Sequence, residues 1–234
     1  MIVPQAKTIL IESIHTGKVK PLGPGKHASG IDKHAASGPV GVSTTGVEGD
    51  EQADRKHHGG PEMAVHHYPL EHYDFWRTEY PEKADAFANN GAFGENITAR
   101  GMTEESVHIG DVYKVGSARL QVSQARQPCW KLNVRSGIDN MALRIQETGR
   151  TGWYYRVLEP GKVAKGDIFD LIGRPQPDWP LSRLLHYLFA EPLEYDMLEE
   201  LSVIPELSPN WQQLFRRRIE LQVVEEWKYR LTVP

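Results

Sequence analysis

Val107-His108-Ile109-Gly110-Asp111-Val112-Tyr113-Lys114-Val115 and Ala118-Arg119-Leu120-Gln121-Val122-Ser123 read as the two arms of a hairpin about Gly116-Ser117. Apolar and polar residues alternate along both arms, which is the period of a half-buried strand, and Gly-Ser is turn chemistry. The second arm runs into Gln124-Ala125-Arg126-Gln127-Pro128-Cys129-Trp130-Lys131-Leu132, which holds the only cysteine among 234 residues. That cysteine lies between two cations, Arg126 and Lys131. Fixed positive charge favours the thiolate, the form that attacks electrophiles or binds soft metals. The position also suits the plainer role of a small buried hydrophobe.

Further short strands flank the hairpin: Thr8 to His15, Val40 to Ser43, Ala64 to Tyr68, Gly91 to Thr98, Trp153 to Leu158 and Asp167 to Ile172. Gly and Pro turns separate them and few helices intervene, so the expected fold is mainly β, a closed or half-closed β-barrel with a few short helices. Pro69 suits the first turn of a helix carrying Tyr73, Trp76, Arg77 and Tyr80, which Pro81 ends. Ile138 to Glu147 is expected as a second helix.

The character changes at Arg174-Pro175-Gln176-Pro177-Asp178, a stiff linker. Leu181, Leu184, Leu185 and Leu188 then mark an amphipathic helix that Asp178 can cap. Met197, Leu198 and Leu201 mark a second helix. Ser208-Pro209 opens a third, with Trp211, Leu214, Phe215 and Ile219 on one face. The expected division is a barrel domain over 1–174 and a small three-helix domain over 175–234, its apolar stripes forming its own core before a polar tail.

Charged residues make up 25% of the chain, the hydrophobic set 39%, and the formal net charge is −4. That balance gives no footprint for a general nucleic-acid binder. One cysteine excludes an internal disulfide and a CxxC redox pair, and is compatible with a reducing compartment. Met1 to Lys7 carries no charged leader followed by an apolar run, and no apolar run approaches the roughly 20 residues of a membrane span. A cytoplasmic protein with no membrane partner is expected.

Thr45 to Pro61 is too rich in Gly and charge to be core. Within it, Lys56-His57-His58-Gly59-Gly60 joins cationic donors to free backbone amides, the make-up of an anion cradle or of a solvated loop. His66 and His67 are adjacent in a strand and point to opposite faces, and no zinc-ligand spacing is present. Glu95 and Asn96 place a carboxylate and an amide at a strand start, able to read a heterocycle edge or to serve a turn. Arg150, between glycine-containing turns, can bind a phosphate or cap a helix C-terminus.

Five segments in order resemble the MOSC domain family, in its stand-alone bacterial YiiM type. They are Gly46-Val47-Glu48-Gly49-Asp50-Glu51-Gln52-Ala53-Asp54 with Lys56-His57-His58-Gly59-Gly60-Pro61; Phe93-Gly94-Glu95-Asn96; Val122-Ser123-Gln124; Pro128-Cys129-Trp130-Lys131-Leu132; and Thr148-Gly149-Arg150-Thr151-Gly152-Trp153. The resemblance implies a MOSC-type β-barrel followed by a three-helix domain, and association with the molybdenum cofactor, a pterin dithiolene (molybdopterin) bearing a phosphate. It implies that Cys129 is the molybdenum ligand, and a soft thiolate suits such a site. On this carry-over Lys56, Arg126, Lys131 and Arg150 hold the anionic cofactor, with the backbone at Gly59 and Gly60 beside them. Glu95 and Asn96 address the pterin edge, and His57 or His58 supplies a proton. The implied activity is reduction of N-hydroxylated compounds such as 6-hydroxylaminopurine, with electrons from a separate flavoprotein. A sulfur carrier using a Cys129 persulfide, and a non-catalytic cofactor or oxyanion-binding module, are the competing readings.

Overall fold

A computed structural model describes residues 8–54 and 59–234. The chain enters β1 (Ile11–Thr16), then a small hairpin of β2 (Lys20–Leu22) and β3 (His27–Ser29), then β4 (His34–Ala35), β5 (Val40–Ser43) and β6 (Gly46–Val47). It continues through β7 (Val65–Pro69), α1 (Leu70–Glu79) and β8 (Ile97–Ala99) to β9 (Val112–Val115) and β10 (Ala118–Ala125). Two short helices follow, α2 (Lys131–Ser136) and α3 (Met141–Thr148), then β11 (Trp153–Glu159), β12 (Gly161–Val163) and β13 (Asp170–Gly173).

The main sheet runs β13-β9-β10-β11-β7-β8-β1-β4. The hairpin of β9 and β10 forms about Gly116, whose φ of 56° is open to glycine at no steric cost. One pair, β7 with β8, is parallel. A parallel neighbour needs a crossover rather than a hairpin, and α1 supplies it. The sheet curls until the segment before β13 meets the start of β1, through an isolated bridge between Leu10 and Ile168 rather than a strand ladder, with Ile11 N–H donating to Asp167 O, Gly166 N–H to Ile11 O and Phe169 N–H to Ile9 O (2.9 Å each). Of the closed and half-closed barrels expected, the half-closed form is found, as a curled, incompletely closed mixed sheet rather than a clean mainly-β barrel. Periodicity alone cannot reveal a parallel pair or an open seam, because both depend on strand order.

The helical region also departs from three plain helices. α4 (Leu181–Leu185) continues into a π-turn over His186–Ala190, followed by α5 (Tyr195–Val203) and α6 (Pro209–Leu221). A further short helix, α7 (Lys228–Leu231), occupies the expected polar tail. Asp178 does not cap α4: Pro180 is the N-cap, and the Asp178 carbonyl instead accepts from Arg183. Nor do the apolar stripes form a private core. Leu181, Leu184, Leu188, Trp211 and Phe215 belong to one buried cluster with Val107, Ile109 and Val122 of the sheet.

Backbone bonds fix that junction. A bulge between Val122 and Gln124 leaves Ser123 without a ladder partner on β11, and its carbonyl accepts from Ser208 N–H (2.9 Å) at the head of α6. Leu181 N–H donates to Val107 O (2.8 Å) and Ile109 N–H to Trp179 O (3.0 Å). Arg174 completes it. Its Nε and Nη2 donate to Asp111 at 2.8 and 2.7 Å, and the fully buried Asp111 carboxylate also accepts from His108 N–H and the Tyr113 hydroxyl. Burial, and then the Asp111 charge, push the Tyr113 phenol well above its usual range, so it stays a donor.

Removing one partner of a buried pair costs more than removing an exposed one. Arg174→Ala is expected to lower unfolding free energy by about 3 kcal/mol. Arg119→Ala breaks only the exposed pair with Glu159 and should cost less than about 1 kcal/mol. Urea denaturation of both variants checks the contrast.

Candidate functional site

After β10 the chain leaves the sheet at Arg126, whose N–H is held by Gly152 O (3.0 Å). The Arg126 guanidinium is buried and donates through Nη1 to Phe93 O (2.7 Å). Cys129 follows as a free thiol, 7% exposed. Its carbonyl accepts from Leu132 N–H (3.0 Å), starting α2, and Gly137 in the left-handed region ends that helix. The sequence reading missed α2; its one signal is the glycine just past Ser136.

Cys129 opens into a cleft that Arg126, Lys131, Asn96, Gly94, His66, Tyr154, Lys33 and Asp50 also line. Asp50 ties its floor together. One carboxylate oxygen accepts from Gly17 N–H (2.8 Å), and the other from Lys33 Nζ (2.5 Å), Asn96 Nδ2 (3.0 Å) and Gln52 Nε2 (3.4 Å). Burial lowers the Lys33 pKa and the Asp50 charge opposes that, so the two form a nearly enclosed ion pair. Arg126 and Lys131 have no carboxylate within ion-pair distance among the described residues.

The expected site residues divide into five groups. Cys129, Arg126, Lys131 and Asn96 converge on the cleft. Asn96 is largely committed to its neighbours: Oδ1 accepts from His66 N–H (3.0 Å), and Nδ2 donates to His15 O (3.2 Å) besides Asp50. Glu95 faces inward rather than into the cleft. It is fully buried and accepts from the Tyr73 hydroxyl (2.5 Å), Gly91 N–H (2.6 Å) and Phe93 N–H (3.1 Å), so it folds the turn beneath Gly94. Arg150 belongs to a different cavity, of about 770 Å³, between α1, α3 and the helical region. There its guanidinium lies over the Phe75 ring at 3.7 Å and donates to Thr148 O, the helix-capping role open to it from sequence. Gly59 and Gly60 are described but do not line the Cys129 cleft, although Gly60, at φ 98°, leads into the turn carrying Met63, which does. Lys56, His57 and His58 lie outside the described residues.

Four lining residues escaped the sequence reading as site residues. Lys33 sits in a turn-rich stretch with no pattern to mark it, and Asp50 was one acid among several in a polar block. His66 and Tyr154 had a usable signal, strand alternation. His67 turns inward, its Nδ1 paired with the Tyr155 hydroxyl (3.1 Å), so His66 must turn the other way, and Tyr154 lies beside it with ring centroids 4.8 Å apart. Burial and then the nearby Arg126 charge hold the His66 pKa well below its usual value, keeping the ring neutral. Its Nε2 is buried with no hydrogen-bond partner among the described residues.

The donor set decides what can bind. Among the described residues no group of three or more His, Cys, Asp or Glu could hold a metal ion. A metal at Cys129 would have to bring most of its own ligands. The enclosed volume is about 80 Å³, below the roughly 300–1,000 Å³ that surrounds a whole small ligand. The cleft can therefore enclose one end of a ligand, with two cations beside it that have no carboxylate partner among the described residues. Those features fit a metal carried by an anionic organic cofactor.

The inward role of Glu95 is testable. Glu95→Ala strands three buried donors and is expected to cost about 3 kcal/mol in urea unfolding. A variant of wild-type stability that lost ligand binding would instead assign Glu95 to the ligand.

A family model described as the MOSC domain matches residues 54–170, and one described as the YiiM-like, 3-alpha helix domain matches 179–222. Protein YiiM of Escherichia coli is 38% identical over 218 residues, 93% of this chain and 96% of that protein. A protein of Gibberella moniliformis named a reductase is 40% identical over 205 residues, 86% of this chain but 36% of its own length. The crystal structure of YiiM from Escherichia coli superposes with a TM-score of 0.82 at 32% identity, covering 97% of this chain and all of that one. That of YiiM from Geobacillus stearothermophilus gives 0.77 at 32% identity, covering 90% and 99%. The curled sheet and the helical region that follows it thus recur together in relatives that span nearly the whole chain, which belongs to the MOSC-domain proteins of the stand-alone YiiM family.

Proposed function

We propose that the chain binds a molybdenum cofactor in the Cys129 cleft and reduces N-hydroxylated compounds there. The observation that carries this reading is one thiol beside two cations that have no carboxylate partner among the described residues, which also offer too few other ligands for a bare ion. A thiolate suits a soft, sulfur-rich metal centre. Arg126 and Lys131 would hold the cofactor's anionic group, and Lys33, paired with Asp50, would set the floor below them. The reductase name of the Gibberella relative supports the direction of the chemistry.

When bound, the cofactor supplies a two-electron reductant. The N–O bond of R–NHOH breaks with uptake of two electrons and two protons, giving R–NH₂ and water. The electrons come from a separate flavoprotein donor. The chain's own residues position the substrate and handle protons. His66, held neutral by burial, lines the cleft with its ring. His57 and His58 are the proton donors proposed from sequence for the departing oxygen. Arg150 is omitted from the cofactor-holding set because its side chain packs on Phe75 in the other cavity.

Protein purified from cells that make the cofactor is expected to carry about one molybdenum per chain. Changing Arg126 and Lys131 together to Glu should cut that below about a tenth. Cys129→Ala should abolish turnover of 6-hydroxylaminopurine while keeping part of the metal, because the anionic end is still held. Metal analysis and a turnover assay with an artificial electron donor read both. Metal-free wild type, prepared where a control cofactor protein loads, contradicts the reading. A Cys129 mass increase of one sulfur after incubation with a cysteine desulfurase would move the assignment to sulfur carriage, and full turnover by Cys129→Ala would remove the metal-ligand role.

A further inference from the structure

The two peptide groups that flank Cys129 are both held by one residue 100 positions further along the chain. The Pro128 carbonyl, in the peptide before Cys129, accepts from Arg230 Nη1. The Trp130 N–H, in the peptide after it, donates to the Arg230 carbonyl at 2.8 Å. Arg230 Nη2 also donates to Gln146 Oε1 of α3 (2.6 Å), and Asn133 Nδ2 of α2 donates to Leu231 O (2.9 Å). The cysteine loop is thus clamped between α3 and the segment that carries α7.

That segment is itself anchored. Arg218, 1% exposed on α6, donates to both oxygens of Glu225 at 2.9 and 2.7 Å and to Leu188 O at 2.9 Å. Trp227 donates to Glu225 (2.9 Å) and packs edge-on against Phe189. Arg218, Glu225, Trp227 and Arg230 therefore form a relay of contacts from the core of the helical region to the backbone of the cysteine loop. The charge of Arg230 is half-buried beside Cys129, whose thiolate would favour it, while burial opposes it.

We propose that Arg230 is a positioning residue that fixes the backbone of Cys129 from both sides, making the helical region part of the site. The functional importance of this rests on the Cys129 cleft being the site, but the clamp itself can be measured without cofactor. The test is the rate of Cys129 modification by iodoacetamide in metal-free full-length protein. Arg230→Ala is expected to raise that rate about tenfold, since the thiol is 7% exposed only while the loop is held. Arg230→Lys, which can serve one acceptor but not both, should fall between. Lys228→Ala, exposed on the same helix, should stay within about twofold of wild type.

Hydrogen exchange separates positioning from general stability. Faster exchange in Arg230→Ala confined to peptides covering residues 126–133 supports the clamp. Loss of protection throughout β10 and β11 overturns it, as does an unchanged alkylation rate. If wild type lacks molybdenum but Arg230→Ala still exposes Cys129, the cofactor reading fails and the clamp stands. If wild type carries molybdenum and Arg230→Ala changes nothing, the clamp fails and the cofactor reading stands.

Discussion

Asp50 leaves a polar loop and places one carboxylate, 1% exposed, among donors from four parts of the chain: Gly17, Lys33, Gln52 and Asn96. A buried carboxylate is tolerated only when its lone pairs are filled, and removing any strong donor leaves an expensive orphan. This one interaction therefore fixes the end of β1, the Lys33 turn, the loop after β6 and the start of β8 at once. The other residues of the floor depend on it. Asn96, oriented by Asp50, accepts from the His66 amide and so sets the strand that presents His66 to the cleft. Glu95, one position earlier, fills its oxygens on the opposite side and folds the turn through Gly94. Two acids serving two loops let the backbone run close to the cleft without unsatisfied amides.

Above that floor the lining sets Lys33, Arg126 and Lys131 against Asp50, Glu51 and Asp54. Asp50 is consumed by Lys33. Arg126 uses one N–H on Phe93 O and keeps the rest of its fork. Lys131 donates weakly to Ala28 O at 3.4 Å and lies 6.0 Å from the Trp130 ring. The cysteine is the one thiol of the cleft, and its backbone is held from a distant segment rather than by the sheet that delivers it. Sheet and helices thus contribute different parts of one site: the sheet supplies the floor and Arg126, and the helical region supplies the clamp.

The hairpin of β9 and β10, the cysteine at its exit and most strand positions were legible from alternation and turn residues. So was the opposed orientation of His66 and His67, which follows from the strand period alone. The choice between a closed and a half-closed barrel was not legible, because seam closure depends on pairing between Leu10 and Ile168, far apart in sequence. Glu95 and Arg150 show a second limit. Residue type said that each could meet a ligand, but only the fold shows Glu95 taken by Tyr73 and two amides, and Arg150 lying on Phe75. Lys33 and Arg230 carried no local signal, since each acts through a partner remote in the chain. The polar tail gave no sign of being anchored, because Glu225 and Trp227 meet the buried Arg218 only in the folded chain.

The central claim is that Cys129 is the protein's ligand to a cofactor-borne metal. X-ray absorption at the molybdenum edge, on loaded wild type and loaded Cys129→Ser, tests it most directly. The account predicts an additional sulfur neighbour in wild type that the variant lacks. Identical sulfur coordination in the two would contradict it.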